Sequence, residues 1–390
     1  MKKNCPICLS KTNLFLEKKK QPTKIFPTSN LRGLKKKDLN IYFCKRCQYG
    51  FQYPIPTNKQ IDQFYLEEQD EYVSLIEKPE IGIDQEIEKI NFIKKSINKQ
   101  FSKKKEKIKI VEVGGFDGFC IKNIFNAKKS EKILIEPNKK GCKIAEKHGL
   151  TTINSYLNTN IAKNYKNYFD IVICKHAIEH VKNIKLFSKN LIGLLKKGGF
   201  LFLETPDLER VIKKGLTRVF ILQHLHYFSK KTLEILFDKL ILKSYQNNIV
   251  EDTSSILLFQ KNDKQNIKKF RKLNISVDLF KESIKNQKKD LEKFIKKNFQ
   301  KKIYIYGASS VVNDIFSTYR LRKEKISAII DSDRNKEKKR LPIVKNLPIY
   351  HIKNDKLDKK SAIIISTVDK RAVKNILKDN NFKSDIFNFY

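Results

Sequence analysis

The chain has 390 residues, 40 % of them hydrophobic, and a formal net charge of +40. This length exceeds one ordinary core and predicts two or three domains, while the apolar fraction excludes wholesale disorder. No run approaches the ~18 apolar residues of a membrane helix, and Met1-Lys2-Lys3-Asn4 opens without an apolar signal region, which predicts a cytoplasmic protein with no membrane insertion.

The charge admits two readings. A strongly basic chain attracts nucleic acid and other polyanions. Here the lysines are spread throughout, at Lys18 to Lys20, Lys35 to Lys37, Lys103 to Lys105 and Lys336 to Lys339, with no stripe interleaved with aromatics. That spread favours a solvated lysine-rich surface over a nucleic-acid partner. A general positive field would still draw a phosphorylated small substrate.

Residues 1–75 hold Pro6, Pro22, Pro27, Pro54 and Pro56 and few apolar runs, so burial alone would not fold them. They also hold two cysteine pairs, Cys5-x-x-Cys8 and Cys44-x-x-Cys47. Four thiolates satisfy a tetrahedral Zn²⁺ with no open position, which predicts a structural zinc-binding domain. A redox dithiol is the alternative, but neither pair lies in a thioredoxin-like βαβ context. Cys120, Cys142 and Cys174 stand singly in apolar surroundings and read as packed thiols.

Residues 76–262 read as an α/β domain. An amphipathic helix is predicted over about 80–104, with Ile83, Ile87, Ile90, Ile93 and Ile97 at helical spacing. Strand-like runs follow at Ile108 to Val113, Lys132 to Glu136, Phe169 to Cys174 and Phe200 to Glu204, with helical stretches between them. This alternation predicts a doubly wound parallel sheet of Rossmann-like type. The first strand runs into Gly114-Gly115-Phe116-Asp117-Gly118, with Glu112 two positions before the first glycine. Such a loop lets backbone approach a cofactor closely. Glu136 lies about 20 residues further on, at the end of the second strand, where an acid suits two ribose hydroxyls. Together they predict a nucleoside cofactor; the plainer reading is a tight βα turn and a surface acid.

Glu-x-Gly-x-x-x-Gly with an acid after the second strand resembles the class I S-adenosylmethionine-dependent methyltransferases. Phe169-Asp170-Ile171-Val172-Ile173-Cys174-Lys175-His176-Ala177-Ile178-Glu179-His180 is similar to their fourth-strand motif, and Leu195-Lys196-Lys197-Gly198-Gly199 to the turn before their fifth strand. The resemblance implies that Glu112, Gly114, Gly115, Asp117, Gly118, Glu136 and Pro137 form the cofactor site, with His176 and Ile178 beside it.

Gln223-His224-Leu225-His226-Tyr227-Phe228-Ser229 follows the fifth strand, near the edge where ligands bind. Alternation places His224 and His226 on one side of an extended segment. Either histidine could remove a proton at neutral pH, so His224, His226 and Tyr227 are the catalytic candidates. The plainer reading is two packed histidines that buttress the site floor. Ser229 reads as the N-cap of a helix over Lys230 to Asp238.

Residues 263–390 begin with one or two lysine-rich helices over 266 to about 300. A second βα series follows: strands at Ile303 to Tyr306, Ile326 to Ile330 and Ala362 to Ser366, and helices at Val311 to Tyr319 and Lys370 to Lys378. Gly307 to Ser310 reads either as a phosphate-binding helix start or as part of a scaffold domain. The three-part order, the Cys44-Lys45-Arg46-Cys47 run followed by Gln48-Tyr49-Gly50-Phe51, and Asp331-Ser332-Asp333 before Leu341-Pro342 resemble the sugar C-methyltransferases. That resemblance implies C-methylation of a nucleotide-linked 4-keto-deoxysugar, with His224 as the base, aligned on Tyr227-Phe228-Ser229. The family's His-Glu pair before the base is Leu222-Gln223 here, and its glycine loop often carries asparagine where this chain has Phe116. O- or N-methylation of another small molecule is the second reading, and RNA modification is the third.

Overall fold

The computed structural model describes residues 3–23, 27–29, 35–62, 74–77, 83–102, 104–126, 128–247, 253–262, 276–367 and 370–388. The N-terminal part is an antiparallel sheet of β1 (Lys3–Asn4), β2 (Lys11–Pro22), β3 (Lys36–Cys44) and β4 (Tyr49–Gln52). Along β2 the side chains Phe15 and Lys18 turn inward while flanking lysines stay in water. This sheet takes its fifth strand from far along the chain: His226–Phe228 pairs with β4, placing His226 opposite Phe51 and Phe228 opposite Tyr49.

The central sheet consists of β5 (Ile108–Val113), β6 (Ser130–Ile135), β7 (Thr151–Ile153), β8 (Phe169–Lys175) and β9 (Leu195–Pro206). After β10 (His226–Phe228) it is completed by β11 (Leu240–Asn247) and β12 (Ser254–Lys261). The order is β11-β12-β9-β8-β5-β6-β7; β12 alone runs opposite to the others, antiparallel to β9 and β11 on either side of it. Its helices are α1 (Ile83–Phe101), α2 (Phe119–Ile124), α3 (Lys139–Lys147), α4 (Thr159–Asn164), α5 (Ile184–Leu194), α6 (Leu208–Lys214) and α7 (Lys230–Leu236). Ser229 caps α7 reciprocally with Thr232, as a capping box does. The predicted helix over 80–104 is α1, its first residues lying outside those described. Ile90, Ile93 and Ile97 are buried, but Ile87 is 41 % exposed. The inward face of the first turns carries instead Glu86 and Lys89, which bond to each other.

The C-terminal sheet is parallel throughout: β13 (Ile303–Tyr306), β14 (Ala328–Asp331), β15 (Ile349–His351), β16 (Ala362–Ile365) and β17 (Asp385–Asn388), in the order β15-β14-β13-β16-β17. Its helices are α8 (Val277–Lys297), α9 (Ser310–Ser317) and α10 (Lys370–Asp379). The predicted lysine-rich helices are the single α8, and residues 263–275 lie outside those described. Phe280 of α8 stacks on Phe15 of β2 at 5.3 Å between ring centroids. Among the described residues no helix is long and apolar enough to cross a membrane.

Candidate active site

Strand order reverses at β5, between β6 and β8, the place where open α/β sheets bind ligands. A cavity of about 600 Å³ lies there, inside the ~300–1,000 Å³ range of small-molecule sites. Its walls include Gly114 and Phe116 after β5, Glu136 and Pro137 after β6, and His176 after β8. Gly114 sits at φ +75°, and a Cβ on it would come 2.8 Å from that of Ala177. A Cβ on Gly115 would come 2.5 Å from the Glu112 carboxyl carbon. That carboxylate is buried and accepts the Ile121 N–H at 3.0 Å, which fixes the start of α2. Burial raises it to about 7, with Lys175 and the Ile121 bond pulling the other way. Asp117 accepts from Ser74 Oγ, Ile76 N–H and Phe119 N–H at 2.8, 3.0 and 3.0 Å, tying segment 74–77 to the loop.

Glu136 accepts one main-chain N–H on each oxygen, from Phe116 at 2.9 Å and Asn138 at 2.8 Å. A carboxylate has about four lone-pair positions, so two remain for a diol. Burial raises this carboxyl, against the two amide bonds.

Beneath the cavity runs a chain of alternating charges. Lys175 binds Glu86 and lies 3.8 Å from Glu112. Lys89 bridges Glu86 at 2.9 Å and Glu204 at 3.1 Å. His176 then faces Glu204 with Nε2 at 3.4 Å and Glu179 with Nδ1 at 3.2 Å. It holds this place at φ +46°, a left-handed backbone uncommon outside glycine and concentrated at functional sites.

The next histidine, His180, lines the cavity. Its ring meets that of His224 edge on, centroids 4.8 Å apart. His180 Nδ1 bonds to the Gln223 carbonyl at 2.9 Å and His224 Nδ1 to the Val219 carbonyl at 2.8 Å. Carbonyls only accept, so each Nδ1 carries the proton and each Nε2 the lone pair. Burial lowers both rings' basicity, His224 to about 3. Burial also works against ionisation of Glu179, but the hydrogen bond from His176 outweighs it and brings the carboxyl to about 2. An ionised carboxylate therefore stands beside two neutral imidazoles.

The N-terminal part roofs this cavity with Asn58, Ile61 and Asp62. Tyr156 donates to Asp62 at 3.1 Å and Lys182 to Asn58 at 3.0 Å, closing the roof onto the central domain. Away from the cavity, the sulfurs of Cys5, Cys8, Cys44 and Cys47 lie within 4.8 Å of one another, an arrangement that can hold a metal ion. The two knuckles are built alike. The Cys5 carbonyl accepts the Leu9 N–H and the Cys44 carbonyl that of Gln48, and both fourth residues adopt positive φ, 61° and 56°. Thr232 of α7 donates to the Cys47 and Gln48 carbonyls, seating the cluster on the central domain.

Residues 86–240 match the family described as methyltransferase domain, and residues 252–373 the one described as C-methyltransferase C-terminal domain. The chain belongs to the S-adenosylmethionine-dependent methyltransferases. Similar solved structures include the 1,6-didemethyltoxoflavin-N1-methyltransferase of Burkholderia thailandensis, at 8 % identity over 55 % of this chain and 96 % of that one, TM-score 0.38. They also include the N-methyltransferase NodS of Bradyrhizobium japonicum, at 12 % identity over 46 % and 98 %, TM-score 0.35. The CurJ carbon methyltransferase is similar at 13 % identity over 45 % and 54 %, TM-score 0.36. No curated protein matches the sequence significantly.

Within this methyltransferase the site residues expected from sequence divide into two groups. Gly114, Glu136, Pro137 and His176 line the cavity, whereas Glu112, Gly115, Asp117, Gly118 and Ile178 are not among its lining residues. The first four of these shape the loop from below, and Ile178 is fully buried in the core. The catalytic candidates stand back from the cavity. Only His226 and Tyr227 lie in the extended strand; His224 precedes it in a turn. His226 is buried between the Tyr49 hydroxyl and the Val181 carbonyl, the latter at 2.6 Å. Tyr227 packs on Phe220 and donates to the His224 carbonyl at 3.0 Å, bracing that turn. Sequence reasoning passed over His180, Lys175, Lys89 and Glu86. The one signal for His180 was its place in the fourth-strand motif.

Proposed function

We propose that this methyltransferase C-methylates a nucleotide-linked 4-keto-deoxysugar at the carbon beside the keto group. The observation that carries the reading is His180 in the cavity wall, held neutral, with His224 and the Glu179 carboxylate behind it. The C-methyltransferase family match over residues 252–373 supports carbon as the atom methylated.

Gly114 gives the cofactor close approach to the backbone, Glu136 receives the ribose hydroxyls, and Pro137 and His176 flank it. S-adenosylmethionine, when bound, supplies an electrophilic methyl group. His180 Nε2 takes the proton from the substrate carbon, leaving the electron pair there in conjugation with the keto oxygen. Glu179 stabilises the imidazolium that forms, and His224 fixes its ring plane. The Tyr156–Asp62 and Lys182–Asn58 contacts hold the roof that keeps water from that carbanionic centre. Cys5, Cys8, Cys44 and Cys47 hold one structural zinc ion; four converging sulfurs unlinked by disulfides fit that ion. The free thiols suit a reducing, cytoplasmic compartment.

His180→Ala and His224→Ala test the base. Cofactor binding should persist in both, and turnover should fall by roughly 10²–10⁴-fold for His180→Ala. Unchanged turnover in both variants removes the pair from the chemistry.

A further inference from the structure

Glu179, His180 and His224 present ligand atoms within 4.8 Å of one another. They stand apart from the cysteine cluster, on the central domain. We propose that these three residues form a second metal site, for one borderline divalent transition-metal ion such as Co²⁺, Ni²⁺ or Zn²⁺, and that its occupancy switches off methyl transfer. The binding claim stands on the geometry alone; the switching claim rests on the base assignment made above.

Three features support binding. First, metal-bound histidines nearly always donate their other ring N–H to a carbonyl or carboxylate, which fixes the tautomer. Both imidazoles already do so, to Gln223 and Val219, and both carry the lone pair on Nε2. Second, the Glu179 carboxylate is held in place by Thr205 Oγ1 at 3.1 Å on one oxygen and by His176 at 3.2 Å on the other. Each oxygen keeps a second lone pair, so the carboxylate is oriented and still able to ligate. Third, His180 lines the cavity, which gives an ion a route from solvent.

The donor set selects the ion. Two imidazoles and one carboxylate suit borderline divalent ions. Metal–ligand bonds of about 2.1 Å require the side chains to close by roughly an ångström from their present separation, within reach of ordinary rotamer adjustment. Three protein ligands leave a position for water or substrate oxygen. An ion so held takes the lone pair that His180 needs for proton removal, so the base is lost while the cofactor cavity stays intact.

Protein with zinc in its four-cysteine cluster is titrated with Co²⁺. One further equivalent should bind, with d–d absorption and without thiolate-to-cobalt charge-transfer bands. His180→Asn should weaken this equivalent at least tenfold, His224→Asn likewise, and the zinc content and cofactor binding of both variants should equal those of the parent. One equivalent of Co²⁺ should suppress methyl transfer, and a chelator too weak to strip the cysteine cluster should restore it. No uptake beyond zinc, uptake indifferent to both variants, or charge-transfer bands marking the cysteines as the ligands would overturn the site and leave the base assignment standing. Uptake as described with methyl transfer undiminished would overturn the switch, and the base assignment with it.

Discussion

His180 and His224 meet edge to face with ring centroids 4.8 Å apart, and both pin Nδ1 to carbonyls of the 219–223 segment. The pair is assembled from two distant stretches: the short turn Ile178–His180 after β8, and the turn that leads into β10. The Leu225 N–H donates to the Glu179 carbonyl at 2.8 Å and locks the two stretches together.

Burial depresses both imidazoles, His224 to about 3, below the ~6.5 of an unfolded histidine. The folded state therefore binds fewer protons than the unfolded one between these values. Stability from this pair is complete above pH ~6.5 and is lost as pH falls toward the depressed values. The acidic limb of kcat/KM should likewise lie below pH 6.5, since the base is already deprotonated there. A limb at or above 6.5 would show an unshifted group and contradict the assignment.

Gly115→Ala should damage cofactor binding without touching the cavity wall directly. The added Cβ meets the Glu112 carboxyl at 2.5 Å, and that carboxylate holds the start of α2 through Ile121. The expected loss is at least tenfold, about 1.4 kcal/mol, read by titration calorimetry with S-adenosylmethionine. Unchanged affinity would mean that the loop is less constrained than described.

The glycine-loop and acid wall of the cavity was legible because it is local. A strand, a glycine turn and an acid about 20 residues on lie within two βα units, and the fold keeps them adjacent. The pairing of His180 with His224 was not, because it depends on a long-range strand pairing. Nothing near His226 announces that β10 will join β4 or that the turn before it will bring His224 to His180. The buried lysines were hidden by abundance: among 82 lysines and arginines, Lys18 and Lys89 carry no local mark. Strands β2 and β3 escaped for a related reason, since Lys11–Pro22 and Lys36–Cys44 mix lysine with apolar residues.

Disrupting the four-cysteine cluster should disturb more than the N-terminal part. The knuckle at Cys44–Cys47 leads directly into β4, and β4 carries β10. Cys47→Ser should lower the zinc content below one per chain, lower Tm, and reduce turnover through displacement of the His224 turn. Full zinc occupancy in this variant would exclude Cys47 as a ligand.

Lys18 of β2 donates to Asp314 of α9 at 2.5 Å and to the Thr217 carbonyl at 3.0 Å, joining all three parts of the chain at one buried point. Asp314→Ala leaves Lys18 uncompensated and should cost about 3–5 kcal/mol, measured by urea unfolding. Lys18→Met combined with Asp314→Leu should recover much of that loss. Equal destabilisation in the double variant would mean that packing, not charge, dominates there.

The most direct test of the central claim is transfer from methyl-labelled S-adenosylmethionine to a panel of nucleotide-linked 4-keto-deoxysugars, with the label located by NMR. A new methyl group should appear on the ring carbon beside the keto group. Label on oxygen or nitrogen, or no transfer to any sugar while the cofactor still binds, would contradict that claim.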